Sequence, residues 1–122
     1  MERSTDEQFL HDWVIRQING KYARTYSDVH INPGTEKNFE HKGKYPDAVF
    51  VNYEQVVQVV EVETKETINE GRVGKWKELS ELDVKLSLLV PKDMQGVTRD
   101  LCFNNGLAAK VNIGSFDVQL NI

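Results

Sequence analysis

The sequence has little of what several common protein classes require. Its 122 residues include one cysteine, Cys102, which excludes an internal disulfide and a zinc site built mainly from cysteines. No apolar run approaches the roughly 18 residues that a membrane-spanning helix needs. The first residues, MERSTDEQ, lack the apolar segment of a signal peptide. These absences predict a protein of the reducing cytoplasm that has no membrane partner.

An excess of positive charge is also missing. Fifteen Lys and Arg residues stand against nineteen Asp and Glu residues, which gives a formal net charge of -4. This balance does not suggest a protein that coats nucleic acid, so any such binding must depend on local basic patches. The length and the ordinary composition predict one soluble domain over residues 1–122 with a small core.

The pattern that is present predicts an α/β domain. Spacing of apolar residues, β-branched runs and turn residues indicate a helix at 4–19, strands at 26–31, 48–51 and 56–60, a helix after Lys65, a strand at 86–90, a helix at 94–104 and a last strand or hairpin within 109–122. The order is α-β-β-β-α-β-α-β, a mixed β-sheet flanked by helices. Ser4 with Glu7 and Thr67 with Glu70 fit capping boxes, and Asn19-Gly20 fits the end of the first helix.

The stretch from Tyr45 to Lys65 contains the main candidate site residues. It predicts two antiparallel strands, and the start of the first lies beside the end of the second. Asp47, Glu63 and Lys65 are therefore expected to meet at one end of the hairpin. Cross-strand partners must share a face, which requires an odd loop of about three residues around Glu54, or a two-residue loop with a bulge.

This element order, with Pro46-Asp47 on the second strand and Glu63-Thr64-Lys65 on the third, resembles the PD-(D/E)XK nuclease superfamily. That superfamily includes type II restriction enzymes and archaeal Holliday-junction resolvases. The resemblance covers most of the chain, about residues 4–91, and implies a restriction-endonuclease-like fold. It also implies a Mg²⁺-dependent (or Mn²⁺-dependent) endonuclease that hydrolyses DNA phosphodiester bonds, acts on branched or structured DNA and forms a homodimer.

The resemblance assigns roles to individual residues. Asp47, Glu63 and the backbone carbonyl of Thr64 would hold the metal, and Lys65 would orient or deprotonate the attacking water. Glu7 on the first helix is a further metal candidate. Glu61 either adds charge to the metal site or pairs with Lys65.

Basic residues on both sides of the hairpin are candidates for phosphate contacts. Lys42 and Lys44 precede it, and Arg72 and Lys75 lie on the helix that follows. They fit equally well as a solvated charged surface.

Each candidate also has a purely structural alternative. Asp47 fits a polar strand entry, Glu63 and Lys65 fit a solvated strand face, and Glu7 fits a capping partner for Ser4. The three histidines lack a metal-ligand spacing and are expected to be structural or exposed. A catalytically inactive module of the same fold that binds nucleic acid or a protein partner therefore remains an alternative, as does a plain α/β scaffold.

Overall fold

The computed structural model describes residues 3–120 and shows a five-stranded mixed sheet with helices on both faces. The prediction of an α/β domain with a mixed sheet flanked by helices is confirmed. No helix within the described residues is long and apolar enough to cross a membrane. The elements are α1 (Thr5–Tyr22), β1 (Asp28–Ile31), β2 (Ala48–Asn52), β3 (Gln55–Val62), α2 (Val73–Ser80), β4 (Lys85–Pro91), α3 (Gln95–Asn104) and β5 (Val111–Phe116).

The strands lie in the sheet in their order along the chain, from β1 to β5. The pairs β1–β2 and β2–β3 are antiparallel, whereas β3–β4 and β4–β5 are parallel. Parallel neighbours need a crossover connection, and α2 and α3 supply the two crossovers. The central strand β3 is therefore the boundary between the hairpin and the parallel half, and α2 follows its carboxyl end.

The hairpin between β2 and β3 closes with a two-residue turn and one bulge. Tyr53 and Glu54 form the turn and have φ of 50° and 68°, the left-handed values that a tight hairpin turn of the primed type requires. Val57 is the extra residue of the bulge, because the ladder skips it. The register pairs Asn52 with Gln55, Val51 with Val56, Phe50 with Gln58, Val49 with Val59 and Ala48 with Val60.

The bulge satisfies the geometric condition for a shared site. A two-residue turn alone would leave Asp47 on the wrong face of the sheet, and the additional residue in β3 restores it. Because Ala48 lies opposite Val60, Asp47 continues the ladder opposite Glu61. The cross-strand partner of Asp47 is thus Glu61, and Glu63 lies two residues further along the chain.

Two apolar clusters hold the helices against the sheet. On one face α1 contributes Val14, Ile15 and Ile18, which pack on Ala48, Phe50, Val60 and Val62. On the other face α2 and α3 contribute Val73, Trp76, Leu79 and Cys102, which pack on Val49, Val51, Val59, Leu86, Leu88 and Val90. Alternation along β3 therefore directs Val59, Glu61 and Glu63 towards the α2 face.

The end of α1 differs from the prediction. The helix continues past Asn19-Gly20 to Tyr22, since Gly20 keeps a helical conformation. At its start the Ser4 hydroxyl accepts from the N–H of Glu7 at 3.3 Å, as an N-cap does. The Glu7 carboxylate, however, accepts from the backbone N–H of Glu66 at 3.2 Å, so the predicted capping box is only half formed.

The segment between β3 and α2 also differs from the prediction. Instead of a helix capped by Thr67, short 3-10 turns cover Lys65–Thr67 and Glu70–Arg72, and α2 begins only at Val73. The Thr67 hydroxyl, which was expected to cap a helix, instead donates to Oε1 of the buried Glu63 carboxylate at 2.7 Å.

Candidate functional site

Asp47 is held at the start of β2 with its carboxylate buried. Oδ2 accepts from the backbone N–H of Val62 at 2.8 Å and lies 3.1 Å from Nε2 of His11 on α1. Only 7% of the residue is exposed. Within the described residues no hydrogen bond ends on Oδ1, so one oxygen of this fixed carboxylate is free.

Glu61 lies opposite Asp47 on the neighbouring strand and is 1% exposed. Its Oε1 accepts from the backbone N–H of Asp47 at 3.2 Å. Its Oε2 lies 3.3 Å from Nζ of Lys75 on α2, in an ion pair, but accepts no hydrogen bond from the part of the chain that the structure describes. Two buried acids thus lie opposite each other on paired strands, and the ammonium of Lys75 pairs with Glu61.

The surroundings move the pKa values of the two carboxyl groups in opposite directions. Burial, and then the charge of Asp47, raises the pKa of Glu61 well above its ordinary value, and Lys75 only partly opposes this. Burial also tends to raise the pKa of Asp47, but the hydrogen bond and charge of His11, with the N–H of Val62, hold it below its ordinary value. Such opposed shifts in adjacent acids are typical of functional sites.

Glu63, predicted as a metal ligand and catalytic residue, is fully buried in a network of hydrogen bonds. Oε1 accepts from Arg3 Nη2 at 3.2 Å, Thr67 Oγ1 at 2.7 Å and Arg72 Nε at 3.1 Å, and Oε2 accepts from Arg72 Nε at 3.2 Å and Trp76 Nε1 at 2.8 Å. These contacts occupy both oxygens. Glu63 therefore connects β3 to α2, and Glu61 takes the position beside Asp47.

Lys65, predicted as the amine of the site, does not reach Asp47. The strand ends at Val62, so the alternation that would have kept Lys65 on the face of Glu63 does not continue. Its side chain is 60% exposed and pairs with Asp93 at 2.7 Å. The expected meeting of Asp47, Glu63 and Lys65 is therefore wrong, because a turn interrupts the strand.

The other two predicted metal candidates are also placed away from Asp47. The carbonyl of Thr64 accepts from the N–H of Thr67 at 3.0 Å and from its hydroxyl at 3.2 Å, within a 3-10 turn. Glu7 lines a different cleft, of about 670 Å³, together with Lys65 and Asp93.

Two of the four predicted phosphate-binding residues lie at the site and two do not. Arg72 and Lys75 line a cleft of about 230 Å³ that has Asp47 and His11 in its wall; Arg3 and Lys37 are further cations there. Lys42 instead donates to the carbonyl of Leu82 at 3.3 Å, and Lys44 pairs with Glu78 at 2.9 Å, both close to the end of α2.

His11 is the functional neighbour that sequence reasoning missed. Its Nε2 contacts Asp47, and its Nδ1 lies 2.9 Å from Oδ1 of Asp12. The helical spacing of His11 relative to Val14, Ile15 and Ile18 could have identified it, because all four residues share the buried face of α1. Phe9, although apolar, lies off this face and is 72% exposed.

The donor atoms at this site fit a hard divalent cation. Within residues 3–120 no group of three or more His, Cys, Asp or Glu side chains converges as an all-protein metal site would. Mg²⁺, however, is commonly bound through one or two carboxylates and completed by water and substrate phosphate. For that mode Asp47 Oδ1 and Glu61 Oε2, which accepts no hydrogen bond within residues 3–120, would be the oxygen donors.

Comparison of the chain with protein-family models, curated proteins and solved structures found no match. The sheet and the carboxylate pair are therefore described from this chain alone.

Proposed function

We propose that this protein is a divalent-metal-dependent nuclease with a restriction-endonuclease-like fold, and that it hydrolyses phosphodiester bonds of DNA. The site consists of Asp47 and Glu61 as ligands of Mg²⁺ or Mn²⁺ and Lys75 as the amine. One observation supports the proposal above the others. The Glu61 carboxylate is buried opposite a second acid, and one of its oxygens accepts no hydrogen bond from residues 3–120.

The energetics of this arrangement favour a cation. A buried carboxylate with incomplete pairing costs the fold several kcal/mol, on the order of 3–5 when its partner is missing. Lys75 pairs with Glu61, and its side chain is 45% exposed, so solvent weakens the pairing. A divalent ion would neutralise both acids at once, whereas a purely structural role would be served better by apolar side chains.

The residues around the carboxylates have separate tasks. A bound divalent ion supplies Lewis acidity and an activated water. Lys75 holds a positive charge beside Glu61, where it can orient the nucleophile or stabilise charge on the phosphate. Arg72 faces the same cleft and contacts an entering phosphate while its Nε remains on Glu63.

Glu63 acts as a positioning residue in this scheme. The motif Glu61-Val62-Glu63 directs two acids to the same face of β3 because strand side chains alternate. Glu61 is at the site, while Glu63 binds Trp76 and Arg72 and so fixes the first turns of α2. Lys75 lies in the same helix, between these two anchors.

The experiment is Mg²⁺-dependent cleavage of linear, flapped and branched DNA. Wild type should cleave at least one of these substrates, and Asp47→Asn and Glu61→Gln should abolish cleavage while far-UV circular dichroism stays unchanged. Lys65→Ala is the matched control and should retain activity. Cleavage that survives Asp47→Asn and Glu61→Gln would contradict the proposal.

A non-catalytic nucleic-acid-binding module is the second candidate, and the cations around the cleft favour it. Arg3, Lys37, Arg72 and Lys75 surround the opening and would attract phosphates without any metal. Binding that weakens as salt rises, with no cleavage and no metal site, would support this candidate over hydrolysis.

A further inference from the structure

Asp47 is 7% exposed and lines a cleft of about 230 Å³. Glu61, which is 1% exposed, lies opposite Asp47 on β3 and outside this lining. The lining comes from α1, from the connection between β1 and β2, and from the segment between Arg72 and Lys75. Because Asp47 is covered, a phosphate in a rigid base-paired duplex approaches it less readily than a phosphate in an unpaired strand. An unpaired strand can be splayed out and inserted.

We propose that the cleft accepts single-stranded nucleic acid, with one base stacked on Tyr45 and the adjoining phosphate directed towards Asp47 and Glu61. This inference rests on the proposed hydrolytic function and specifies its substrate as an unpaired strand. Recognition in this mode is by shape, charge and stacking.

Tyr45 is placed to act as the stacking platform. It precedes Asp47 by two residues, lines the same cleft and is 40% exposed. The ammonium of Lys37 lies over one face of its ring, 5.3 Å from the ring centre, so a base would stack on the opposite face or displace Lys37 towards the phosphate. Stacking on an exposed aromatic ring beside a cation is how proteins bind single strands without sequence preference.

The wall that carries Tyr45 is fixed before any ligand binds. The side chain of Asn32 is buried, donates to the carbonyl of Pro46 at 2.7 Å and to that of Phe39 at 3.0 Å, and accepts from the N–H of Phe39 at 2.9 Å. The N–H of Gly34 donates to Asp12 on α1 at 3.0 Å. Tyr45 therefore needs little ordering on binding, which preserves affinity.

Cations line the cleft together with Tyr45. Lys37 lies over the Tyr45 ring, Arg72 ends the 3-10 turn before α2, and Lys75 lies on α2, while Glu36 is an acid in the same lining. An unpaired strand that stacks on Tyr45 can place successive phosphates near these groups. Since the contacts are to phosphates and one ring face, binding should be sequence-tolerant and salt-dependent.

The test measures binding without metal, by fluorescence anisotropy. The probes are a labelled oligothymidylate and an oligouridylate of about 15 nucleotides, and a DNA hairpin duplex of matched length. Wild type should bind the single strands at least about tenfold more tightly than the duplex. Tyr45→Ala should weaken single-strand binding by about tenfold, as loss of one stacked base predicts, and Tyr45→Phe should retain it. Tyr53→Ala, at the 92% exposed hairpin turn, is the matched control and should bind as wild type does.

Two results would overturn the inference: duplex binding as tight as single-strand binding, or a Tyr45→Ala variant that binds single strands as well as wild type does. A saturable Mn²⁺ site together with either result leaves hydrolysis standing and removes the substrate assignment. Single-strand binding that depends on Tyr45, without any Mn²⁺ site, removes hydrolysis instead.

Discussion

The backbone N–H of Asp47 donates to Oε1 of Glu61 at 3.2 Å, across the two central strands of the sheet. This contact exists because Val57 bulges out of β3 and moves the register by one residue. It brings together two carboxyl groups whose pKa values the fold shifts in opposite directions. The predictions below follow from this pair and from the groups that face it.

The pH dependence of stability should reveal the buried Glu61. Its pKa lies well above its ordinary value of 4.5 in the folded chain, chiefly through burial and then through Asp47, so the folded state binds this proton more tightly than the unfolded state does. Its contribution to stability is then complete below about pH 4.5 and is lost as pH rises through the folded-state pKa. In urea titrations with EDTA present, the free energy of unfolding of the wild type should fall as pH rises through this range. Glu61→Gln should remove that fall. Glu54→Gln, in the exposed turn, is the control and should keep the wild-type pH dependence. If wild type and Glu61→Gln show the same dependence of unfolding free energy on pH, the prediction for Glu61 is wrong.

Lys75, and not Lys65, should be needed for cleavage. Lys75 lies 3.3 Å from Glu61, whereas Lys65 pairs with Asp93 outside the site. Lys75→Ala should lower the Mg²⁺-dependent cleavage rate by about 100-fold or more, the usual cost of losing a group that assists proton transfer or charge stabilisation. Its Mn²⁺ affinity should not weaken, because a competing cation has been removed. The reverse pattern, with Lys65→Ala inactive and Lys75→Ala active, would contradict this assignment.

Glu63 should matter for folding more than for metal binding. Its removal leaves Arg3, Arg72 and the indole N–H of Trp76 without their buried partner. Glu63→Ala should lower the free energy of unfolding by about 3–5 kcal/mol in urea titrations. Glu70→Ala, an exposed acid seven residues later, should change it by less than about 0.5 kcal/mol. Equal, small effects of both substitutions would show that the Glu63 network is not structural.

His11 should stabilise Asp47 most at neutral pH. Burial tends to raise the pKa of Asp47, but the hydrogen bond and charge of His11, together with the N–H of Val62 and the charge of Lys75, hold it below the ordinary 3.8. A depressed pKa contributes stability above pH 3.8 that is lost as pH falls through the folded-state value. His11→Ala should cost about 1–3 kcal/mol at pH 7 and less below pH 3.8. Arg16→Ala, at an exposed position on the same helix, should change the free energy of unfolding little at any pH. A stability loss in His11→Ala that becomes larger as pH falls would contradict the prediction.

The sequence predicted the sheet and one half of the site for physical reasons that can be named. β-branched runs identified β2 and β3, and Pro46-Asp47 identified the strand entry. The partner of Asp47 could not be identified, since it depends on a one-residue bulge at Val57 that no residue type there demands. Lys65 was misplaced because side-chain alternation holds only while the strand continues, and β3 ends at Val62.

Contacts between residues far apart in the sequence could not be predicted either. The Glu7 carboxylate binds the N–H of Glu66, and the Thr67 hydroxyl binds Glu63; both replace local capping that the sequence had suggested. Tertiary partners outcompete local ones when they satisfy a buried charge, and Glu63 is fully buried.

The most direct test is a Mn²⁺ titration by calorimetry or electron paramagnetic resonance. The wild-type chain should bind Mn²⁺ at a saturable site, and Asp47→Asn and Glu61→Gln should each abolish that binding while Lys65→Ala preserves it. A wild-type chain without saturable binding, or binding that survives loss of both carboxylates, would contradict the central claim that Asp47 and Glu61 form a metal site.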